Sequence, residues 1–461
     1  MPINPRIFRA YDIRGKANID LTVDASRLIG RGFGSVLREM YKSDHPTVVV
    51  GWDARSHSPS LATAAIEGLI SAGCKVLVMG QTPSPVNYFT ICRLGLDAGL
   101  QVTASHNPKE DNGIKLQLRD AEAYSGDDLQ DLRVRIEKGR FVDGQGTQET
   151  IDAVTPYIET LATMFPNAGK GMRVVVDTGN GVAGPVYAEA LHRVGCDVTG
   201  LYLEPHGEFP NHQADPSQHQ TLVDLQKLVR EKEAHLGLAF DGDGDRLGIV
   251  DEKGVIRTPD EILLLLAEDL LTRHPGSSVI FTVSNSGILD TEIAAAGGKP
   301  VMCKVGHSFV EHAMRDNHAL LGGEQSGHFF CAEDYHSFDD AMVAALRFLS
   351  IAHAKNAPLS SVLDRFPKVF QAPERRPFCP DDRKTAIVKS VTEHFAKTHH
   401  VNTMDGARID FGNGAWAGIR QSNTSPCLSI CIEARSEQDL QAVEREILDH
   451  IRTYPEVRLE A

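Results

Sequence analysis

The chain of 461 residues is too long for one hydrophobic core and predicts three or four domains. Its hydrophobic share of 41% and charged share of 24% are ordinary for a globular protein, and no apolar run approaches the ~20 residues of a membrane span. The net charge of −15 argues against nucleic acid as a partner, while eight scattered cysteines and an N-terminus unlike a signal peptide predict a reducing, cytoplasmic setting.

Strand-like and helix-like patterns alternate through the first three quarters of the chain. Buried-strand patterns occur at 46–53, 74–80, 171–181, 277–286 and 300–308. A helical pattern at 58–73 separates the first two, and another begins at Pro185. Strands and helices at this spacing predict parallel α/β units.

Three changes of pattern predict domain boundaries. They lie near 145–155, near 255 and near 368–375, and the second follows a hairpin-like segment and precedes a helix with Thr258 as its N-cap. After the third, two helical patterns at 383–397 and 436–452 enclose turn-rich strands, which predicts an α+β domain. The predicted domains are 1–150, 151–255 and 256–368, all α/β with mixed sheets and helices, and 369–461. The sequences of the first three show no convincing internal repeat.

The segment TASHNP (103–108) predicts a tight turn that follows a strand. Ser105 in this turn could act as a nucleophile if it is activated or already phosphorylated. Lys115, a little further along the chain, could serve as a base or contact a phosphate. The alternative is an ordinary turn without a chemical role.

The segment DGDGDR brings three aspartates together: Asp241, Asp243 and Asp245 alternate with glycines, so the backbone can fold tightly. Three hard oxygen ligands suit Mg²⁺ or Ca²⁺. An EF-hand loop is the competing interpretation, but its sixth position would be Arg246 where such a loop needs glycine. Arg246 could instead reach a metal-bound phosphate.

The segment GGEQSGH (322–328) places Glu324, Ser326 and His328 at alternate positions of an extended loop. A carboxylate and a hydroxyl suit sugar hydroxyls, and His328 could transfer protons. A polar surface loop is the alternative.

The segment IRQSNTSP offers a guanidinium, hydroxyls and an amide in one turn, a combination that could hold a phosphate. The residues concerned are Arg420, Ser422, Asn423 and Thr424. A hairpin turn with an exposed arginine is the alternative.

A dinucleotide site competes with these interpretations. In GNGVAG, Gly179, Gly181 and Gly184 follow a strand and open a helix, and Asp197 lies where a ribose-binding acid is expected. Close packing of a helix on a strand needs the same glycines. We favour packing, because a nicotinamide site would leave the four other loops unexplained.

Taken together and in this order, the four loops resemble those of the α-D-phosphohexomutase superfamily, over essentially the whole chain. FRAYDIRG (8–15) and RQSNTSP (420–426) are similar to the phosphomannomutase/phosphoglucomutase branch. The phosphoglucosamine branch shares GGEQSGH but usually opens with a different glycine-rich motif. The resemblance implies four domains around a central cleft, the first three α/β and the last α+β, in a protein we expect to be a monomer.

The resemblance also implies a role for each motif residue. Ser105 would be a phosphoserine whose phosphate joins Asp241, Asp243 and Asp245 around Mg²⁺, with Arg246 beside them. Glu324 and Ser326 would hold sugar hydroxyls. The remaining expected site residues are Arg420, Ser422, Asn423 and Thr424 for the phosphate that does not react, Tyr11, Arg14 and His307 for the rest of the cleft, and Lys115 or His328 for proton transfer.

The implied reaction interconverts hexose 1-phosphate and hexose 6-phosphate through a hexose 1,6-bisphosphate that turns around, with glucose 1,6-bisphosphate as an activator. One position departs from the branch, where many members carry a lysine and this chain has Ser284. Three alternatives remain: a phosphoglucosamine mutase, a metal-dependent sugar phosphatase that transfers the phosphoryl group to water, and a non-catalytic protein that binds sugar phosphates.

Overall fold

The structure, a computed structural model, describes residues 3–422 and 425–459. The chain divides into two compact units, one formed by Met1–Leu266 with Ser326–Val362 and the other by Ala267–Gln325 with Leu363–Ala461. Among the described residues, no helix is both long and apolar enough to cross a membrane.

The first part of the chain alternates strands with helices. Its elements are β1 (Ile13–Lys16), α1 (Val23–Tyr41), β2 (Thr47–Trp52), α2 (Ser58–Ser71), β3 (Lys75–Gln81), α3 (Ser84–Leu94), β4 (Ala98–Val102), β5 (Asp111–Gln117), α4 (Gly126–Glu137) and β6 (Thr147–Thr150). The strands pair in the order β1-β5-β4-β2-β3-β6. β2 is parallel to β3 and β4, whereas β5 is antiparallel to β4 and β1. The strands and the helix predicted between 46 and 80 are confirmed.

The sequence of β2 explains its central place. Val48, Val49 and Val50 have no exposed surface. Val48 and Val50 join one core cluster with Ile29 and Leu61, while Val49 points to the opposite face. A continuous run of β-branched residues is typical of a strand that is covered on both faces.

The second part repeats this alternation. Its elements are α5 (Val154–Met164), β7 (Arg173–Asp177), α6 (Gly184–Arg193), β8 (Asp197–Leu201), α7 (Val223–Glu231), β9 (Leu236–Phe240), β10 (Leu247–Asp251) and β11 (Ile256–Arg257). The strand order is β11-β10-β9-β7-β8. β7 is parallel to β8 and β9, and β9, β10 and β11 are antiparallel. The predicted hairpin is therefore confirmed, and the DGDGDR loop joins β9 to β10.

The third part begins with a capped helix. Thr258 and Glu261 hydrogen-bond each other's backbone N–H groups, which confirms the predicted N-cap. The elements are α8 (Pro259–Arg273), β12 (Ser278–Thr282), α9 (Ile288–Ala295), β13 (Lys299–Cys303), α10 (His307–Asp316), β14 (Leu321–Gly323), β15 (Phe329–Cys331), α11 (Ala341–Lys355) and α12 (Leu359–Leu363). β12 is parallel to β13 on one side and to β14 on the other.

The last part is α+β, as predicted. Its elements are β16 (Phe370–Gln371), α13 (Asp381–Phe395), β17 (His400–Asn402), β18 (Ala407–Gly412), β19 (Ala415–Gln421), β20 (Leu428–Ala434) and α14 (Glu437–Ile451). The strands are antiparallel in the order β16-β20-β19-β18-β17. Both helices contribute to one core with β18, β19 and β20.

Three parts of the chain share one strand arrangement. In β2-β3-β4, β7-β8-β9 and β12-β13-β14, the first strand lies between the second and the third. The chain therefore continues to one side of the first strand and then crosses to its other side. The loops after the first and third strands meet at one edge of the sheet. In open α/β sheets this switch point is where ligands bind.

Helices α1 and α2 pack closely at glycine. A Cβ atom added at Gly68 would lie 2.1 Å from the carbonyl oxygen of Arg27 and 2.6 Å from the backbone nitrogen of Arg31. Both contacts are to the backbone of α1, which cannot move aside without shifting the helix.

We expect Gly68→Ala to lower the free energy of unfolding by about 1–3 kcal/mol through overpacking, although alanine is the better helix former. Thr63→Ala, at an exposed position of the same helix, is the matched control. Thermal unfolding of both variants measures the difference. Equal stability of the two would contradict the close packing of these helices.

Candidate active site

Ser105 lies on a strained turn directly after β4. Trp52 pairs with Val102 at the ends of β2 and β4, so the residues that follow both strands lie at one edge of the sheet. Ser105 has a φ of 50°, a left-handed conformation that costs a residue with a side chain roughly 1–2 kcal/mol. Its side chain is buried, because the residue is only 2% exposed. Surrounding groups must therefore hold this conformation.

The three aspartates of the β9–β10 loop converge on one point. Asp241, Asp243 and Asp245 are fully buried, and one carboxylate oxygen from each lies within 4.8 Å of the others. Asp241 Oδ1 accepts hydrogen bonds from the N–H groups of Gly244 and Asp245 at 3.0 Å, so the loop wraps around this carboxylate. Gly244 has a φ of 79°, which favours glycine.

The serine turn and the aspartate loop meet within the first unit. Ser105 Oγ donates a hydrogen bond to Asp241 Oδ2 at 2.6 Å. A Cβ at Gly242 would lie 2.4 Å from the Ser105 carbonyl oxygen, so only glycine permits this approach. Two motifs predicted separately from the sequence are thus in direct contact.

Lys115, on β5, offsets part of the negative charge. Its Nζ lies 2.8 Å from Asp243 Oδ2 and 2.5 Å from Asp245 Oδ2. Burial alone would lower the pKa of Lys115, but these two carboxylates raise it well above its usual value, so the side chain is an ammonium here. Burial, together with Asp245 and Asp243, raises the pKa of Asp241 well above its usual value.

The aspartate cluster fits a hard divalent cation. Asp243 Oδ1 is buried and has no hydrogen-bond partner among the described residues. A buried carboxylate oxygen without a partner is costly, and a cation would satisfy it. Carboxylate oxygens are ligands of Mg²⁺ and Ca²⁺ and do not suit softer metals.

Arginines flank the same cluster. Arg14 Nη1 donates to the Ala104 carbonyl at 2.6 Å, directly before Ser105, and its Nε pairs with Asp12 at 2.5 Å. Arg246 Nε lies 4.0 Å from Asp241 Oδ2, and its backbone N–H donates to Asp241 Oδ1 at 3.2 Å.

Tyr11 lies near both arginines, because it is among the groups that raise the pKa of Arg14 and of Arg246 against the lowering effect of burial. Two of the residues implied by FRAYDIRG, Tyr11 and Arg14, are thus close to the serine turn and the aspartate loop.

His328 stands beside the aspartate cluster. The N–H of Leu247 donates to the carbonyl of Gly327 at 2.9 Å, which fixes the neighbouring histidine. His328 Nε2 lies 3.3 Å from Asp245 Oδ1, and its Nδ1 lies 2.9 Å from the hydroxyl of Ser326. His328 and Ser326 therefore belong to the same unit as Ser105.

Other predicted residues lie in the second unit. Glu324, directly after β14, accepts a hydrogen bond from the N–H of Gly306 at 2.7 Å, and His307 begins α10. Because β12 and β14 are neighbours, Ser284 and Glu324 follow the two strands that border the switch point of this sheet.

Arg420 lines a pocket of the second unit, at the end of β19. The pocket is also bordered by Ser284, Arg408 and Ser429. Arg420 Nε is buried and has no hydrogen-bond partner in the described part of the chain, which leaves it able to bind a ligand. Ser422 is 4% exposed. Asn423 and Thr424 lie outside the described residues.

The structure argues against two competing interpretations, the EF-hand and the dinucleotide site. Strands β9 and β10 flank the DGDGDR loop, whereas an EF-hand requires helices there. A Cβ at Gly184 would lie 1.8 Å from the Leu203 carbonyl oxygen, so packing alone explains this glycine. Asp197 pairs with Arg173 at the amino ends of β8 and β7, away from the glycine loop that follows β7.

Two residues near the site were missed by sequence reasoning. Ser84 donates from its hydroxyl to Asp243 Oδ2 at 2.6 Å and from its N–H to the Asp243 carbonyl at 2.9 Å. Arg55 donates to the Ser105 carbonyl at 2.8 Å. Both follow a buried strand, Arg55 after β2 and Ser84 after β3. Position at the carboxyl end of a parallel strand was the signal that could have identified them.

Comparison with protein-family models gives four consecutive matches. They are to phosphoglucomutase/phosphomannomutase α/β/α domain I at residues 5–143, domain II at 155–254, domain III at 258–370 and the C-terminal domain at 378–450.

Individual relatives match nearly from end to end. A phosphomannomutase/phosphoglucomutase from Pseudomonas aeruginosa is 39% identical over 95% of this chain and 93% of its own length. A phosphoglucomutase from Neisseria gonorrhoeae is 35% identical over 97% of both chains. The crystal structure of a phosphoglucomutase/phosphomannomutase family protein from Burkholderia thailandensis superposes with a TM-score of 0.90 at 35% identity and covers 99% of both chains. With all four domain models matched in order, the chain belongs to the phosphoglucomutase/phosphomannomutase family.

Proposed function

We propose that this protein is a phosphohexomutase that interconverts hexose 1-phosphate and hexose 6-phosphate by way of a phosphoserine at Ser105. The observation that carries the proposal is the 2.6 Å contact of Ser105 Oγ with Asp241, inside a cluster of three buried aspartates. A phosphorylated hydroxyl there would lie next to oxygen ligands that bind a cation and to the cations Lys115 and Arg246.

In our proposal the metal is Mg²⁺, held by Asp241, Asp243, Asp245 and an oxygen of phosphorylated Ser105. A bound Mg²⁺ would neutralise charge on the phosphoryl group, which is the main requirement of phosphoryl transfer. The partnerless Asp243 oxygen supports this assignment.

The chain's own residues would then position and protonate the substrate. Arg246 would contact the phosphoryl group, and Arg14 and Tyr11 would border the serine turn. Lys115 or His328 would exchange a proton with the sugar hydroxyl that gains or loses the phosphate. Both candidates lie beside Asp245, in the cluster that Ser105 contacts.

The sugar and its second phosphate need separate contacts. We propose that Glu324, Ser326 and His307 bind sugar hydroxyls, and that Arg420, Ser422, Asn423 and Thr424 bind the phosphate that does not react. The partnerless Arg420 Nε supports this second role. A bisphosphate intermediate can present either phosphate to Ser105, so glucose 1,6-bisphosphate is expected to activate the enzyme by phosphorylating the serine.

We infer mannose and glucose phosphates as the substrates, because the relatives from Pseudomonas and Neisseria carry those sugars in their names. Turnover of mannose, glucose and glucosamine 1-phosphates by the purified protein, with a trace of bisphosphate, tests this preference. Accumulation of inorganic phosphate instead of a 6-phosphate would identify a phosphatase.

We also propose the domain bounds 1–150, 151–255, 256–368 and 369–461, a monomer, and action in the cytoplasm. All eight cysteines are free in the structure, and seven of them are buried, which supports a reducing setting.

Removal of metal should abolish turnover, and Mg²⁺ should restore it. Asp243→Asn should raise the Mg²⁺ concentration that gives half-maximal activity by at least about 10-fold, since loss of an outer-shell contact alone costs that much. Asp269→Asn, on α8 and partly exposed, is the matched control. Full activity of the native protein in the presence of a chelator would contradict the metal assignment.

Arg420→Ala should raise the KM for both 1- and 6-phosphates. Loss of one charge-assisted phosphate contact is worth roughly 1.5–3 kcal/mol, or about ten- to a hundred-fold. Arg435→Ala, at an exposed position after β20, is the control and should leave KM unchanged. Steady-state kinetics measure both variants, and an unaltered KM in Arg420→Ala would remove this residue from the site.

The protein isolated from cells should be at least partly phosphorylated at Ser105. A phosphoserine adds about −1.5 to −2 charge beside the aspartates, so phosphate and Mg²⁺ should strengthen each other's binding. Ser105→Ala should lose nearly all mutase activity, whereas Ser60→Ala, exposed on α2, should retain it. Intact-mass measurement with peptide mapping detects the phosphate. Rapid turnover by Ser105→Ala, or a phosphate consistently on another residue, would overturn the mechanism.

A further inference from the structure

A closed ring of hydrogen bonds holds both backbone groups of Ser105. The Ser105 N–H donates to Thr103 Oγ1 at 2.8 Å, and Thr103 Oγ1 donates to Asp53 Oδ2 at 2.9 Å. Arg55 Nε donates to the same Asp53 oxygen at 3.1 Å, and Arg55 Nη2 donates to the Ser105 carbonyl at 2.8 Å. The ring therefore joins the loop after β2 to the loop after β4.

Arg55 extends this support along the whole serine turn. Its guanidinium also donates to the carbonyls of Asn107 at 2.7 Å, Pro108 at 2.6 Å and Asp111 at 3.2 Å. The Arg55 side chain has no exposed surface, and the ring of Phe209 covers its guanidinium at 5.2 Å. Only the planar, branched donor set of arginine can reach this many carbonyls at once.

Both carboxylate oxygens of Asp53 also accept hydrogen bonds. Besides its bonds within the ring, its Oδ1 accepts from the Arg55 N–H at 3.0 Å and from the Ser58 hydroxyl at 2.6 Å, at the start of α2. The carboxylate thereby fixes the arginine to a helix and to β2, two rigid elements. Among the hydrogen bonds that the structure describes, none joins the side chain of Asp53, Arg55 or Thr103 to Asp241, Asp243 or Asp245.

We propose that Asp53, Arg55 and Thr103 are positioning residues that lock Ser105 in its left-handed conformation, so that its hydroxyl faces Asp241 for phosphoryl transfer. The inference rests on the proposed role of Ser105. A left-handed serine is strained, and strain at a functional residue persists only where surrounding contacts determine it. A ring that grips both the N–H and the carbonyl of one residue fixes its orientation more tightly than either contact alone.

The test compares Arg55→Lys with Arg38→Lys in the full-length, Mg²⁺-loaded protein. Lysine keeps the charge but cannot reach the separate carbonyls, because its donors leave from a single atom. Arg38 also donates to backbone carbonyls in the same domain, at Ala72 and Asp143, and pairs with Asp44 away from the serine turn. The two substitutions are therefore matched in chemistry and differ in place.

With glucose 1-phosphate and glucose 1,6-bisphosphate, Arg55→Lys should lower kcat by about 10- to 100-fold and change KM by less than about 3-fold, since a small misplacement of a reacting group costs that much in rate. Arg38→Lys should keep both constants. Thr103→Val, which removes the ring's acceptor for the Ser105 N–H at nearly constant volume, should reproduce the fall in kcat. Thermal unfolding and intact mass of each variant accompany the kinetics.

The possible outcomes distinguish a failure of the positioning role from a failure of the proposed function. An active, Ser105-phosphorylated native protein whose Arg55→Lys and Thr103→Val variants keep their kcat would overturn the positioning role. A rise in KM at constant kcat would make Arg55 a substrate contact, and failure of both variants to fold would make the ring purely structural; either result also overturns it. A native protein without mutase activity or phosphate on Ser105 would instead refute the proposed function.

Discussion

The site depends on the pairing of buried negative charge with buried positive charge. Three carboxylates at one point cannot all ionise away from water unless cations face them. Lys115 supplies one such cation at 2.8 Å from Asp243, and Arg246 supplies another, with its Nε 4.0 Å from Asp241 Oδ2. Asp241 is the carboxylate whose pKa is raised, by burial and by the neighbouring Asp245 and Asp243. It is also the carboxylate that accepts the Ser105 hydroxyl.

The repeated strand arrangement explains why the motifs fall where they do. Ser105 and Arg55 follow β4 and β2, Asp241 follows β9, and Glu324 follows β14, each at a strand that borders a switch point. Parallel strands expose the same end of their backbone at one edge, so a loop there can be changed without disturbing the core. One strand arrangement thereby supplies a buried serine, a cluster of three aspartates and a further carboxylate from different parts of the chain.

Local sequence predicted what is local in structure. The DGDGDR loop folds around its own backbone, with Asp241 accepting from the N–H of Gly244 three residues on, so its glycines and aspartates were readable from spacing. Tyr11, Arg14 and His307 were predicted as site residues only from the family resemblance, because the sequence around them contains no motif that indicates a chemical role. The Asp53–Thr103 bond spans 50 residues and the Ser84–Asp243 bond spans 159, and no periodicity in the sequence indicates such pairs. To predict such pairs, one must know the order of the strands in the sheet, which the sequence did not indicate.

Two glycines of the aspartate loop are each required by the local geometry. Gly242 lets the loop backbone approach the Ser105 carbonyl, from which an added Cβ would lie only 2.4 Å away. Gly244 adopts a φ of 79°, which favours glycine. The Ser105 carbonyl also receives the Arg55 guanidinium at 2.8 Å. The Ser105 peptide is therefore enclosed by the sheet edge that carries it and by the loop that would hold the metal. Held from both sides, Ser105 would keep its geometry during the change of charge that the proposed phosphorylation brings.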